Sequence, residues 1–290
     1  MNSKKPKRKS SILALVLIIV ICVVIVGALT VNILSLTRLQ KANDYLTAQN
    51  EELSEKADKV REEFDEYRMR EETDYTFDYL AIGNSITRHP VYGGYWWGDW
   101  GMAATAEETD YYHRVKEKIS QLYPDNVCQA LNFTVWEDPF YERRNALCYL
   151  EGYLNEKLDV VSVQLGENIQ RSEEITDDEF RLLMDADYRE LLAFIRQKAP
   201  NAKLIVVGNF WEDEIVDSVK QSLAQEFGAS YISLAEIRGA EYRIGMGAEV
   251  LGADGVTHVI EAEGVGEHPN DEAMRFIAER IAEAIPGLGN

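Results

Sequence analysis

The first pattern along the chain is unbroken apolarity: residues 12–36 hold no charged side chain, and 13–26 are almost wholly Leu, Ile, Val and Ala. A run of that length suffices to cross a bilayer as a helix, so residues 11–36 are assigned as a transmembrane helix. A cleaved leader is the competing reading, but its apolar core is expected to span only about 7–15 residues and to end in an Ala-x-Ala-like site. No convincing site follows. The period then changes. Leu39, Leu46, Leu53, Val60 and Tyr67 recur every seventh residue, with Leu36, Asn43, Asn50, Ala57 and Phe64 at the companion apolar position and charged residues such as Glu51, Glu55, Lys56 and Glu62 between them. Residues 37–72 therefore read as a coiled-coil or helical stalk. Polar Asn at the core position fixes register in parallel dimers, so a parallel homodimer is one reading and a single solvated spacer helix the other.

From residue 73 the pattern alternates. Short apolar runs with strand character at 75–83, 127–136, 160–165, 204–210 and 231–234 are separated by helical periodicities at 110–123, 141–154, 177–198 and 212–227. A last amphipathic helix, 271–285, ends before Pro286 and Gly287. Strand-then-helix order predicts an α/β fold, three-layer α/β/α with a central parallel sheet and right-handed crossovers. The expected organisation is a basic tail at 1–10, the membrane helix at 11–36, the stalk at 37–72 and a catalytic-type domain at 73–290.

Charge sharpens this picture. The chain of 290 residues has a net charge of −20, yet residues 1–10 carry Lys4, Lys5, Lys7, Arg8 and Lys9 and no acid, leaving −25 on the rest (−20 less those five). A basic segment beside an apolar helix stays on the cytoplasmic side, which predicts a single-pass protein of the cell membrane with its N-terminus inside and residues 73–290 outside. So acidic a body disfavours nucleic acid as a partner. Cys22 lies in the apolar run, and Cys128 and Cys148 have apolar neighbours, so buried free thiols are expected rather than a disulfide framework. His89, His113, His258 and His268 are too scattered to propose a metal site.

Candidate chemistry gathers at the carboxyl ends of the strands, where open α/β sheets bind ligands. The first strand ends in Gly83-Asn84-Ser85, the third in Gly166-Glu167-Asn168, and the loop before the last helix reads Gly266-Glu267-His268-Pro269-Asn270-Asp271. Ser85 either points into the crevice or caps a following helix; Asp271 reads as the cap of the last helix. A hydroxyl, an imidazole and a neutral donor at one sheet edge are the parts that nucleophilic acyl chemistry uses. The segment 92–104 carries Tyr92, Tyr95, Trp96, Trp97 and Trp100; it reads either as an aromatic wall of the cleft or as a loop folded back into the core.

In this order and placement the motifs resemble the SGNH (GDSL-like) hydrolases, across residues 75–286. The resemblance implies a flavodoxin-like α/β/α fold and a serine hydrolase acting on ester bonds. Ser85 would be the nucleophile and His268 the base, with an oxyanion hole of Ser85 N–H, Gly101 N–H (Gly98 next) and the Asn168 side chain. If the aromatic loop is a wall of the cleft, Trp96, Trp97 and Trp100 contact substrate; the resemblance implies neither metal nor organic cofactor. Two positions depart from the family pattern: the usual Asp of the turn is Asn84, and the acid expected three residues before the histidine is Val265. Glu267, a backbone carbonyl or no partner at all would then orient the imidazole, and Asp254 with His258 forms a competing acid–imidazole pair. The implied function is an extracellular, membrane-anchored esterase removing O-acetyl or other short acyl groups from a carbohydrate or cell-envelope polysaccharide. The alternatives are an O-acyltransferase using the same Ser-His site and a non-catalytic glycan-binding envelope protein.

Overall fold

The computed structural model describes residues 40–41, 76–138, 143–172 and 174–289. The chain divides into two units, residues 1–66 and 67–290; of the first, only Gln40 and Lys41 are described, both helical and exposed. The basic tail, the transmembrane assignment at 11–36 and the stalk at 37–72 otherwise lie outside the described residues. Among the described residues no helix is long and apolar enough to cross a membrane.

The second unit is built on five parallel strands: β1 Phe77–Gly83, β2 Asn126–Asn132, β3 Val160–Gln164, β4 Lys203–Val207 and β5 Ser230–Ile232, in spatial order β2-β1-β3-β4-β5. β1 lies between β2 and β3, and all seven of its residues are buried. Its side chains alternate between two cores, as the pleat requires. Tyr79 and Ala81 enter one with the buried faces of α1 (Tyr111–Leu122) and α6 (Asp271–Ala284), while Leu80 and Ile82 enter the other with α3 (Asp177–Lys198) and α4 (Glu214–Glu226). The result is the expected three-layer α/β/α architecture with a central parallel sheet.

Helix starts follow their caps. Asp110 accepts from the His113 N–H, Thr176 forms a reciprocal capping box with Glu179, and Asp213 accepts from Ile215 and Val216. The last helix corrects an expectation: its cap is Asn270, which accepts from Glu272 and Ala273, while Asp271 turns outward from the helix to take the Thr105 N–H at 2.9 Å and its hydroxyl at 2.5 Å. Two other expectations change. The strand predicted at 127–136 stops at Asn132, because the Asn132 carboxamide oxygen captures Thr134 N–H and hydroxyl and bends the chain into the 3-10 turn Thr134–Trp136. The helix predicted at 141–154 is described only as a four-residue helix α2, Arg143–Ala146, continued by 3-10 geometry at Leu147–Leu150. The antiparallel hairpin β6 (Glu249–Leu251) and β7 (Thr257–Val259), and the short helix α5 (Glu263–Gly266), had no sequence prediction.

Candidate active site

β1 ends at Gly83, where the chain is too crowded for any side chain: a Cβ there would fall 1.8 Å from Thr87 Oγ1 and 2.8 Å from the Gln164 carbonyl oxygen. A tight turn follows, with Thr87 and Arg88 N–H both donating to the Asn84 carbonyl at 3.0 Å and Ile86 N–H to Asn84 Oδ1 at 3.1 Å. No helix begins here, so Ser85 does not serve as a cap. Its carbonyl is held by Met102 N–H at 2.8 Å, its N–H has no partner among the described residues, and its side chain is partly exposed.

Ser85 Oγ lies 2.9 Å from His268 Nε2, across 183 residues of sequence. The imidazole is delivered by α5 and the turn after it. Helix ends leave carbonyls without partners. Here His268 N–H goes to the Val265 carbonyl at 3.0 Å, and Nδ1 takes up the orphan Gly264 carbonyl at 2.7 Å. Burial lowers the imidazole's pKa from the ordinary 6.5 to about 4, against the opposing pull of the Gly264 carbonyl and with a smaller push from His89. Trp211, from the loop after β4, packs edge-on against the ring, with centroids 5.0 Å apart and planes at 85°.

The predicted acid partner is not behind the imidazole. The Glu267 carboxylate pairs with Arg243, and only its backbone oxygen faces the site's aromatic wall, accepting Trp211 Nε1 at 3.2 Å. Val265 is a core residue at 3% exposure. The competing Asp254–His258 pair exists, at 2.9 Å, but it sits on the β6–β7 hairpin stacked flat on Trp97 and has no contact with Ser85.

Gly101 is a second correction. Its N–H donates to the buried carboxylate of Asp110 at 2.8 Å, so it is consumed inside the fold and cannot serve an oxyanion. The aromatic loop divides. Trp96 and Trp100 are buried, at 0% and 6% exposure, and pack against each other in the core; neither can contact substrate. Trp97 is partly exposed, and the loop's exposed rings are Tyr92 and Tyr95, 5.1 Å apart, with Tyr92 edge-on to His89.

Two acids at this edge, Glu137 and Glu167, were given no role by the sequence. Glu137, fully buried in the loop after β2, accepts Asn84 Nδ2 at 3.2 Å, Gly166 N–H at 2.5 Å and Asn168 Nδ2 at 2.7 Å. Glu167 accepts Gln164 Nε2 at 2.9 Å and the N–H groups of Phe210 and Trp211 at 2.6 and 3.3 Å, so it holds the loop that carries Trp211 to His268. Burial raises its pKa to about 8, with Lys220 pulling the other way. Lys220 is itself fully buried, donates to the Leu165 carbonyl and Asn209 Oδ1 at 2.8 Å each, and is lowered to about 8 by burial. An acid or aromatic just past a strand end was the available signal for Glu137 and Trp211.

Among solved structures, the chain is similar to lipases and esterases. Phospholipase A1 from Streptomyces albidoflavus NA297 is 13% identical, covering 69% of this chain and 94% of that one, with a TM-score of 0.41. A psychrotrophic esterase from Pseudoalteromonas sp. is 13% identical over 72% and 96%, with a TM-score of 0.42. An active-site mutant of a family two carbohydrate esterase from Clostridium thermocellum is 15% identical over 75% and 65%, with a TM-score of 0.43. No family model and no curated protein matches the chain.

Proposed function

We propose that the chain is an SGNH-type serine esterase that removes O-acetyl or another short acyl group from a carbohydrate. The observation that carries this reading is the pair of contacts on one imidazole, Nε2 to Ser85 Oγ and Nδ1 to the Gly264 carbonyl. A carbonyl only accepts, so Nδ1 bears the proton and Nε2 presents its lone pair to the hydroxyl. Ser85 Oγ attacks the ester carbonyl as its proton passes to Nε2, and the same proton then goes to the departing sugar oxygen. Water, deprotonated by Nε2, adds to the acyl-serine, and as the intermediate collapses that proton returns to Ser85 Oγ and the acid is released. The Ser85 N–H and the second Asn168 Nδ2 hydrogen are the donors assigned to the developing oxyanion.

A sugar substrate fits the exposed Tyr92 and Tyr95 rings on the loop that follows the nucleophile turn, since aromatic faces stack on apolar faces of pyranose rings. The acidic body favours an uncharged glycan over an anionic one. The same proposal keeps residues 11–36 as a single membrane anchor, residues 37–72 as a stalk, and the 73–290 domain outside the cell, on the strength of the uncharged apolar run and the basic tail before it. The test is release of acetate from an activated acetyl ester and from an acetylated polysaccharide: the wild-type chain should turn over both, and Ser85→Ala should lower both by at least about a thousandfold with unchanged folding. Undiminished turnover by Ser85→Ala would overturn the assignment.

A further inference from the structure

Glu137 is a carboxylate with 0% exposure and, among the described residues, no cationic group at ion-pair distance. Burying an ionised acid in this way is costly unless its lone pairs are filled. Among the described residues every group that fills them is an uncharged N–H donor, and they come from the turn that carries Ser85 and the turn after β3. Asn84 belongs to the turn after β1; Gly166 N–H, Asn168 N–H (3.4 Å) and Asn168 Nδ2 belong to the turn after β3.

A carboxylate accepts and never donates, so any carboxamide beside it must turn its nitrogen inward. That rule fixes both asparagines. Asn84 gives Nδ2 to Glu137, which leaves Oδ1 for the Ile86 N–H inside the nucleophile turn. Asn168 spends one Nδ2 hydrogen on Glu137 and keeps the other. A neutral glutamine at 137 could instead donate to Asn168 Oδ1 and let the amide invert.

We infer that Glu137 is a positioning residue for the oxyanion side of this site: its charge sets the orientation of the Asn168 and Asn84 carboxamides and supplies from the β2 loop the carboxylate that the Gly83-Asn84-Ser85 turn lacks. This rests on the reading of Asn168 as an oxyanion donor. Glu137 itself touches no reacting atom; it acts through Asn168.

The experiment is a double-mutant cycle on the full chain, with side-chain amide spectroscopy beside it. Glu137→Gln should lower kcat for an activated acetyl ester by about ten- to a hundredfold, less than outright loss of an oxyanion donor, with KM within about twofold. In an Asn168→Ala background the same substitution should change kcat by less than about threefold. Glu137→Asp keeps the charge and should recover part of the loss. Equal losses in both backgrounds, or an Asp variant no better than Gln, would assign Glu137 a merely structural role and overturn the inference. In the wild type, one Asn168 Hδ2 proton should resonate downfield of its partner and exchange more slowly; two equivalent, rapidly exchanging protons would overturn it even if no variant folds. A wild-type chain that shows this amide signature but hydrolyses no ester leaves the positioning contact standing and removes the esterase reading instead.

Discussion

His268 donates Nδ1–H to the carbonyl oxygen of Gly264, four residues earlier, at 2.7 Å. This is the place where a helix would set the backbone N–H of residue 268, and α5 ends too soon to supply it. The imidazole takes the vacant acceptor, which fixes its tautomer and directs Nε2 at Ser85. A carbonyl orients the ring without adding a full negative charge, so it does less than a carboxylate to stabilise the imidazolium. Burial of the ring, which the carbonyl only partly offsets, sets its protonation behaviour.

With its pKa lowered to about 4 by burial, His268 is neutral and competent as a base through the whole range above that value. The acidic limb of kcat/KM should therefore fall near pH 4 rather than near 6.5. The stability consequence has a definite sign. A histidine whose folded pKa lies below its unfolded value of 6.5 favours the fold most above pH 6.5, and that contribution, about 3 kcal/mol, is lost as pH falls towards 4. A rate profile with its acidic midpoint at 6.5 would show that the ring is better solvated than its position implies.

Asn84→Asp would place an acid in the turn that carries Ser85, and it should be harmful here. The new carboxylate would stand against Glu137, whose oxygen is 3.2 Å from the Asn84 amide, in a site where both residues have 0% exposure. A loss of about 3 kcal/mol is expected in denaturant unfolding, with partial recovery in the Asn84→Asp, Glu137→Gln double variant. A single variant as stable as the wild type would contradict the contact.

Lys220→Met should cost about 3–5 kcal/mol. It would strand the Leu165 carbonyl and Asn209 Oδ1 without their donor and leave Glu167 without its opposing charge. Because Glu167 holds the Phe210 and Trp211 N–H groups, acyl turnover should fall with stability. Equilibrium unfolding and kcat measured on one preparation check both.

The aromatic loop gives a paired test. Trp96→Ala or Trp100→Ala removes a buried ring and should cost about 3–5 kcal/mol of stability. Tyr92→Ala and Tyr95→Ala, at exposed positions, should leave stability within about 0.5 kcal/mol while raising KM for a polysaccharide more than for a small acetyl ester. Tyrosine variants with unaltered KM would remove this loop from the substrate contacts.

What the sequence disclosed was what is locally encoded. β1 was legible because Phe77 and the run Tyr79–Ile82 end in a glycine that no side chain can replace, and α3 because its helical periodicity runs over 177–198. Ser85 and His268 were legible as strand-end and pre-helix residues. The partners that tune them were not. Whether Gly101 N–H is free depends on Asp110, and whether Trp100 is wall or core depends on neighbours such as Trp96 and the Ala104 carbonyl that its indole N–H reaches. Glu137 reads in sequence as one more acid in an acidic protein; only the meeting of three loops makes it the shared acceptor for Asn84, Gly166 and Asn168. The position of Val265 pointed to a missing acid and left Glu267, a backbone carbonyl or no partner open; the Gly264 carbonyl is the group that Nδ1 meets, a choice that no side-chain pattern encodes.

The most direct test of a working Ser85–His268 pair is reaction of the full chain with a fluorophosphonate, located by mass spectrometry. One adduct per chain is expected, on Ser85, formed at a rate that collapses in His268→Ala. An unmodified Ser85 in folded protein, after exposure that saturates a known serine hydrolase, would contradict it.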